Sequence, residues 1–280
     1  MEKQFIDSVY EKLIQSAELS DKNPPSRQKI KEVIKNFHHL LFPEYFVAKQ
    51  AIEGAELLSY ICNEIETQVK AAYEFSGTVN RDPVAVTASI IAELPSIKQK
   101  LIKDIQALYE GDPAAVCKEE ILLSYPGFYA ISIYRLAHEF YVREVPLIPR
   151  LMTEYAHGKT GIDIHAGAKI GEYFFIDHGT GIVIGETTTI GDHVKLYQGV
   201  TLGAKSFELD DNGNPIKGIK RHPDIGNNVI IYANATILGG NTRIGDGAVI
   251  GGNVWLTASV EPNTVVYYGK TEQIIRKKES

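Results

Sequence analysis

The spacing of hydrophobic positions changes about halfway along the chain. Up to about residue 156, apolar residues recur every three to four positions, which is typical of amphipathic α-helices. Asp82–Pro83 and Asp112–Pro113 each place a capping residue before a proline, so both pairs predict helix starts. We therefore predict an all-helical domain over residues 1–156. Its predicted helical segments are 2–19, from Ser26 to Pro43, 44–75, from Asp82 with a break at Pro95, from Asp112, and 127–142.

From residue 157 onward, a six-residue rhythm replaces the helical spacing. An aliphatic residue recurs at every sixth position, often followed by glycine, and the frame slips by two residues between Ile182 and Ile184. A period of six does not fit a helix, and glycine at this density would destabilise one. Short stacked strands with tight corners accommodate both features, so residues 157–280 predict a parallel β-helix of about four to five coils. The side chains expected inside include Ile164, Ile170, Ile176, Ile182, Ile184, Ile190, Leu196, Leu202, Ile225, Ile231, Ile237, Ile244, Ile250 and Leu256.

A polar stretch over residues 205–222 interrupts this rhythm. It contains the turn-forming run Asp211-Asn-Gly-Asn-Pro215. A coil tolerates such an insertion as a loop that projects from a corner. Loop 205–221 is therefore either a plain surface loop or a lid over a site. We favour the second interpretation because the loop leads directly into Arg221 and His222.

Composition limits the classes of function. The chain of 280 residues is 44% hydrophobic with a net charge of −6, which supports a folded core and gives no indication of nucleic acid or anionic membranes as partners. Its two cysteines, Cys62 and Cys117, do not make a disulfide framework and favour a reducing compartment. Because no apolar run approaches the ~20 residues of a membrane span and the first residues lack a signal-peptide pattern, we expect a cytoplasmic protein.

Polar residues that break the coil pattern are candidates for chemistry. Asp163 precedes His178 by fifteen residues, somewhat less than one coil, so the two side chains are expected to face each other across adjacent coils. In such a pair the carboxylate orients the imidazole, which acts as a general base. A surface pair that merely closes a corner fits the spacing equally well. A second polar group consists of Arg221 and His222.

Other chemistries have less support. Zinc catalysis would need three converging histidines from the set His165, His178, His193 and His222, but the pair five positions apart found in coil-type carbonic anhydrases is absent. We therefore expect no metal. Sequence patterns for a serine nucleophile elbow, a P-loop or a dinucleotide fold are also absent, so covalent catalysis lacks local support.

Several strings together resemble the serine O-acetyltransferases, a family of hexapeptide-repeat acyltransferases. They are Asp163-Ile-His165, Ala168-Lys-Ile-Gly171, Ile176-Asp-His-Gly-Thr-Gly-Ile-Val-Ile-Gly-Glu186, Gly199-Val-Thr-Leu-Gly203, Arg221-His-Pro223 and the upstream stretch from Tyr125 to His138. The resemblance implies an α+β fold in which a helical domain precedes a left-handed parallel β-helix. It also implies transfer of acetyl from acetyl-CoA to the hydroxyl of L-serine in a ternary complex, the first step of cysteine biosynthesis.

The same resemblance implies roles for individual residues. His178 would be the general base, oriented by Asp163. Asp112 and Asp177 would hold the ammonium group of serine, and Arg221 and His222 its carboxylate. Acetyl-CoA would lie in a groove between chains of a trimer, along Gly203, Ala204, Ala233, Gly251 and Gly252. Ala204 stands where many relatives have a second glycine.

The resemblance also implies binding partners, and alternative functions remain. We expect a homotrimer or a dimer of trimers, with L-cysteine as a feedback inhibitor. A stable complex with cysteine synthase is not expected, because the chain ends Lys277-Lys-Glu-Ser280 and lacks the terminal isoleucine of relatives that dock there. The alternatives are an acetyltransferase for homoserine or a sugar, and a non-catalytic scaffold whose polar cluster only closes corners.

Overall fold

The computed structural model describes residues 2–15, 22–46 and 52–269. Within these residues, helices come first and short strands follow. The helices are α1 (Lys3–Gln15), α2 (Arg27–Leu41), α3 (Gly54–Ser76), α4 (Pro83–Ala92), α5 (Leu94–Gly111), α6 (Lys118–Ser124), α7 (Pro126–Val142) and α8 (Ile148–Thr160). The strands are β1 (Asp163–Ile164), β2 (Lys169–Ile170), β3 (Phe175–Ile176), β4 (Val183–Ile184), β5 (Thr189–Ile190), β6 (Lys195–Leu196), β7 (Thr201–Gly203), β8 (Asp224–Ile225), β9 (Ile230–Ile231), β10 (Thr236–Leu238), β11 (Arg243–Ile244), β12 (Val249–Ile250), β13 (Trp255–Leu256) and β14 (Val265–Val266).

Side-chain caps begin two of the helices as the sequence predicts. The Ser26 hydroxyl accepts a hydrogen bond from the Lys29 amide at the start of α2, and the Asp82 carboxylate accepts one from the Val84 amide at the start of α4. The predicted break at Pro95 is also confirmed, since α4 ends two residues before α5 begins. Capping residues next to proline therefore identify real helix starts in the first part of this domain.

Two predicted helix starts are wrong. Asp112 is the C-cap of α5, and a turn rather than a helix follows, so α6 begins at Lys118. The Asp112 carboxylate does accept a hydrogen bond from the Ala114 amide, but this local bond stabilises the turn instead of starting a helix. The helix predicted from Glu44 is also wrong at its start, because residues 44–46 lie in a turn and α3 begins at Gly54.

The ends of the helical domain also differ from the prediction. Helix α1 is shorter than predicted, and residues 16–19 of the predicted segment lie outside the described ones. Phe5, Val9 and Leu13, which recur at helical spacing along α1, are exposed. Helix α8 was not predicted and runs past the expected boundary at residues 156–157. None of the helices in the described part has the length and apolar character of a membrane span.

Fourteen strands of the described coil form three parallel sheets. Sheet A contains β1-β4-β7-β10-β13, sheet B β2-β5-β8-β11, and sheet C β3-β6-β9-β12-β14. Two of the corners between sheets are important for the candidate site. The His178 edge joins sheet C to sheet A through residues 177–182, 197–200, 232–235 and 251–254; the Arg221 edge joins sheet A to sheet B through residues 165–168, 185–188, 204–223 and 239–242.

Strand register explains the slip in the hexapeptide frame. Asp163 pairs with Val183, and Val183 pairs with Thr201, so the first coil is two residues longer than the second. The extra residues lie in segment 177–182 of the His178 edge, which contains His178 itself. The aliphatic residues predicted to face inward are buried, except Ile170 and Leu256, which are half-buried near the two ends of the coil. The predicted β-helix and its apolar interior are thus confirmed.

A buried ion pair connects the helical domain to the coil. The Arg135 guanidinium on α7 donates two hydrogen bonds to the Asp104 carboxylate on α5, at 2.6 and 2.8 Å. Arg135 also donates to the carbonyl oxygen of Gly171 at 2.7 Å, and the Asp104 carboxylate accepts from the Phe174 amide at 3.0 Å. Both side chains are almost fully buried. Because this ion pair also makes hydrogen bonds to backbone groups of the first coil, it fixes the coil against α5 and α7.

Candidate active site

Three of the predicted site residues meet at the His178 edge. His178 Nδ1 lies 3.6 Å from Asp177 Oδ1. Asp112, at the end of α5, is close enough for the His178 charge to act on it. A hydrogen bond from Tyr125 is the largest cause that lowers the pKa of Asp112 below its ordinary value. The edge therefore presents two carboxylates and an imidazole together, a combination that can hold a cation and move a proton.

The backbone of His178 is unusual. Its φ of +56° lies in the left-handed region, which a side chain other than glycine rarely occupies. Gly179 and Gly181 in the same segment also have positive φ, at +82° and +81°. Gly199, Asn234 and Asn253 in the other segments of this edge also have positive φ, so left-handed residues are a regular feature of the corner. The His178 side chain is 70% exposed, whereas the apolar residues beside this edge remain inside the coil.

The predicted pairing of Asp163 with His178 stays a prediction. The Asp163 carboxylate lies beside Glu154 and His157 of α8, with ligand atoms of the three side chains within 4.8 Å of one another. Gly179, next to His178, packs against Ile162, next to Asp163, so the two segments are adjacent at this edge. The carboxylate that does lie next to the ring is that of Asp177.

Arg221 and His222 lie at the other edge of sheet A. The Arg221 guanidinium donates to the Glu186 carboxylate, which also accepts a 2.8 Å hydrogen bond from the Tyr141 hydroxyl on α7. Burial alone would raise the pKa of Glu186, but the hydrogen bonds from Tyr141 and Arg221 more than offset this effect and lower it. An ionised Glu186 therefore holds Arg221 in one orientation and leaves part of its guanidinium for an incoming carboxylate.

His222 is packed tightly beside Arg221. Its Nδ1 accepts a 3.1 Å hydrogen bond from the Thr187 amide, so the ring proton belongs on Nε2. Gly185 makes room for the ring, since a side chain at that position would collide with His222. Burial lowers the pKa of His222 to about 4, with the Arg221 charge acting in the same direction. His222 is therefore neutral near pH 7 and offers an N–H donor, not a positive charge.

The residues predicted to line acetyl-CoA divide between the same two edges. Ala233, Gly251 and Gly252 lie on the His178 edge, whereas Gly203 and Ala204 lie beside and on the Arg221 edge. Loop 205–221 and the neighbouring corner enclose a cavity of ≈ 320 Å³, lined in part by Lys205 and Arg221. The predicted turn at the tip of the loop is confirmed: the Asp210 carboxylate accepts hydrogen bonds from the amides of Asn212 and Asn214, both at 2.9 Å.

One chain does not bring the two groups of residues together. Strands of sheet A separate the His178 edge from the Arg221 edge by two or three residues, or roughly 7–10 Å, plus the width of the corners. The histidines considered for zinc are also dispersed: His165 and His222 lie on the Arg221 edge, His178 on its own edge and His193 on the third one. Each edge on its own therefore presents an incomplete site.

Comparison with known proteins identifies the family. Residues 83–132 match the family model described as "Serine acetyltransferase, N-terminal". A plasmid-encoded serine acetyltransferase of Synechococcus elongatus is 43% identical over 259 residues, which cover 86% of this chain and 81% of the relative. The chain belongs to the serine acetyltransferase family. Another member, from Helicobacter pylori, is 42% identical over 172 residues, 61% of this chain and 95% of the relative.

Solved structures of serine acetyltransferases share the architecture. Isoform 3 from Entamoeba histolytica, crystallised with cysteine, is 32% identical and superposes with a TM-score of 0.76, covering 98% of this chain and 93% of that one. The Neisseria gonorrhoeae enzyme in complex with serine is 25% identical with a TM-score of 0.58, covering 87% and 96% of the two chains. The fold class is accordingly a helical domain followed by a left-handed parallel β-helix, as predicted.

Three side chains that support the candidate site in this serine acetyltransferase family member were not predicted. Tyr125 contacts Asp112, Tyr141 contacts Glu186, and Thr187 contacts His222. Tyr125 and Tyr141 come from the helical domain, where neither has a spacing that distinguishes it from other tyrosines. Thr187 lies directly after the string that ends at Glu186, and Tyr125 opens the string that runs to His138, so these positions were the available signals.

Proposed function

We propose that this chain transfers the acetyl group of acetyl-CoA to the hydroxyl of L-serine, giving O-acetyl-L-serine and CoA. The observation that carries the proposal is the convergence of Asp112, Asp177 and His178 on one exposed edge of an acyltransferase coil. Membership of the serine acetyltransferase family supports the same reaction. In this proposal the enzyme performs the first step of cysteine biosynthesis.

The proposed chemistry needs a single base. The His178 imidazole takes the proton of the serine hydroxyl while the oxygen attacks the carbonyl carbon of the thioester. As the new C–O bond forms, the C–S bond breaks. The CoA thiolate that leaves then takes the proton from the imidazolium. Because Nδ1 of His178 lies on the side of Asp177, Nε2 is the nitrogen assigned to the proton transfer. A positioned base of this kind typically contributes about 10²–10⁴ in rate.

Serine is held at its two charged ends in this proposal. Asp112 and Asp177 bind the ammonium group, and the remaining donors of Arg221 bind the carboxylate together with the Nε2–H of His222. The spacing between these two ends selects an amino acid over a sugar. L-cysteine has the same two ends, so we propose that it competes with serine with its thiol beside His178. The cysteine-bound structure of the Entamoeba histolytica relative supports this.

A neighbouring chain completes the proposed site. In a threefold trimer with sheet A facing the axis, the His178 edge of one chain meets the Arg221 edge of the next. The residues proposed to bind L-serine and those proposed to bind acetyl-CoA are divided between these edges in the same way. Acetyl-CoA would therefore run between two chains, past Ala233, Gly251 and Gly252 on one side and Gly203 and Ala204 on the other.

The outward face of sheet A supports this packing. In its outward row, Val183, Thr201, Thr236 and Trp255 are uncharged and Asp163 at the first strand is the one acid, and Trp255 is 62% exposed. Sheet B presents the charged side chains of Lys169 and Arg243 instead. Dimerisation of such trimers through the helical domain is the larger assembly that we propose. We also propose a cytoplasmic location, supported by the free thiols of Cys62 and Cys117.

The decisive assay follows release of free CoA with a thiol reagent. Purified chain with acetyl-CoA is supplied with L-serine, L-homoserine or an amino sugar. We expect CoA release with serine and a loss of about 10²–10⁴ in kcat in the His178→Ala variant. The matched control is His193→Ala, because His193 also has a positive φ, +57°, but lies on the third edge.

The outcomes separate the hypotheses. His193→Ala is expected to keep the wild-type rate, and circular dichroism checks that both variants are folded. Undiminished activity in His178→Ala would eliminate the proposed base. Faster release with homoserine or the amino sugar would replace the proposed acceptor. Absence of CoA release with every acceptor would favour the scaffold. Residues 270–280, which bear on docking to cysteine synthase, lie outside the described part of the chain.

A further inference from the structure

The carboxylate of Asp112 has two donors within the chain. Its Oδ1 accepts a 2.8 Å hydrogen bond from the Ala114 amide, and its Oδ2 accepts a 2.6 Å hydrogen bond from the Tyr125 hydroxyl. Asp112 follows the last residue of α5, where the backbone is extended and the helix no longer restricts the side chain. The two donors therefore determine where the carboxylate lies.

Tyr125 is well suited to fix that position. It sits at the junction of two helices: its amide donates to the Ile121 carbonyl of α6, and its carbonyl accepts from the Tyr129 amide in the first turn of α7. Two residues later, Gly127 packs so closely on Ile176 that a side chain there would collide with the Ile176 carbonyl oxygen. Ile176 directly precedes Asp177. The Tyr125 hydroxyl is thus anchored to the segment that carries Asp177 and His178.

The charges around Tyr125 keep its hydroxyl protonated. The hydrogen bond to Asp112 is the largest cause that raises the pKa of Tyr125, to about 12. The negative charges of Glu120 on α6 and Asp177 on the His178 edge act in the same direction. Tyr125 therefore remains a donor throughout the pH range in which an acetyltransferase is assayed.

We propose that Tyr125 is a positioning residue for the substrate ammonium, acting by holding the Asp112 carboxylate towards Asp177 and His178. The inference rests on the proposed function, because it assigns Asp112 to the ammonium of serine. A carboxylate that accepts one bond on each oxygen still has lone pairs for the substrate. Because Asp112 is already oriented before serine arrives, binding does not have to order it.

The test is the isosteric variant Tyr125→Phe, which removes one hydroxyl and keeps the ring. We expect KM for L-serine to rise about tenfold, the effect typical of a hydrogen bond to a charged group. The kcat and the KM for acetyl-CoA are expected to stay within about twofold of wild type. Without its main donor, Asp112 holds its proton up to a higher pH, so the acidic limb of kcat/KM for serine is expected to move to higher pH.

A matched control and a double variant make the test specific. Tyr129→Phe removes the hydroxyl of a tyrosine one turn further along α7, whose hydrogen-bond partner is Tyr155, and it is expected to leave KM for serine unchanged. In an Asp112→Asn background, adding Tyr125→Phe is expected to change KM by less than about twofold, because Tyr125 acts through the missing carboxylate.

Different results would overturn the two proposals. An unchanged KM for serine in Tyr125→Phe, or full additivity with Asp112→Asn, would refute the role of Tyr125 and leave the acetyltransferase activity standing. A parallel loss in kcat and in both KM values would reveal a general structural effect and also refute it. Failure of the wild-type chain to release CoA with serine would instead refute the proposed function, before any variant is compared.

Discussion

The two edges of sheet A carry the two halves of the candidate site in opposite states. At the His178 edge the imidazole is 70% exposed on a left-handed backbone, with carboxylates beside it. At the Arg221 edge, the guanidinium is paired with Glu186 and His222 is 7% exposed. One half is thus open to solvent in a single chain, whereas the other is already fixed by partners from its own chain. The His178 imidazole therefore faces solvent, whereas Glu186 and Thr187 hold Arg221 and His222 in place.

Differences in the sequence produce this contrast. The His178 edge is extended by two residues, which push the imidazole outward. The Arg221 edge instead contains the long segment 204–223, and its end is pulled back onto the coil by Thr187, whose hydroxyl accepts hydrogen bonds from the amides of Arg221 and His222 at 3.0 and 3.1 Å. A small extension therefore exposes a side chain, whereas a large insertion with an anchored end buries one.

The strongest test of this contrast combines two variant chains, one with only its Arg221 edge intact and one with only its His178 edge intact. His178→Ala and Arg221→Ala chains are expected to be nearly inactive alone. When equal amounts are unfolded and refolded together, about one quarter of the contacts between chains join two unmodified edges, so activity is expected to recover to about a quarter of wild type. CoA release measures the recovery, and capture through an affinity tag on one of the two variants confirms that mixed trimers have formed.

The control for this experiment mixes chains without refolding them. Such a mixture is expected to stay near background as long as the trimers do not exchange subunits. If the refolded mixture also remains inactive although mixed trimers are present, both halves of the site come from one chain. In that case the separation across sheet A has no functional meaning.

A smaller effect is expected from weakening the contact that holds Arg221 at its edge. Glu186→Gln keeps the shape of the side chain but removes the negative charge that holds Arg221. We expect KM for L-serine to rise about three- to tenfold because the guanidinium loses its orientation, with little change in KM for acetyl-CoA. Steady-state kinetics with each substrate varied in turn provide the measurement. A lower KM for serine would show instead that Glu186 competes with the substrate carboxylate.

The smallest expected effect concerns stability at acidic pH. Since burial lowers the pKa of His222 to about 4, the unfolded chain binds a proton more readily than the folded chain below about pH 6.5. The resulting loss of stability is absent above pH 6.5 and grows as the pH falls towards 4. It amounts to roughly 1–3 kcal/mol of unfolding free energy. Urea denaturation at pH 7 and pH 4.5, at one protein concentration, measures the loss.

Variants at the two edges test the assignment of that loss. His222→Gln is expected to reduce the difference in unfolding free energy between the two pH values. His178→Gln, at an exposed position on the other edge, serves as the matched control. An equal pH dependence in wild type and His222→Gln would show that groups elsewhere in the chain cause the acid sensitivity.

Periodicity predicted the coil because stacking imposes it on every sixth residue. It even located the functional extension, since the two-residue slip falls in the segment of His178. Pair contacts were less accessible. The expected contact of Asp163 with His178 stays a prediction, because spacing along the chain does not determine where the two side chains lie. The Asp112–Pro113 signal failed as a helix start because the same hydrogen bond to Ala114 also stabilises a turn.

The supporting residues of the site are the part that the sequence conceals. Tyr125, at the start of α7, donates to Asp112 at the end of α5, and Tyr141 on α7 donates to Glu186 of the coil. Nothing in helical spacing distinguishes a tyrosine that packs from one that donates to a distant acid. Such contacts depend on how the helices lie against one another and against the coil, and this arrangement is set by tertiary packing.

The Arg135–Asp104 pair has a consequence for the independence of the two domains. A coil produced without the helices would leave the Gly171 carbonyl without its guanidinium and the Phe174 amide without its carboxylate. The same cut would remove Asp112 from the vicinity of His178. The two regions that the sequence separates so clearly by their rhythm therefore behave as a single cooperative unit, and transplanting this coil onto another scaffold requires carrying α5 and α7 with it.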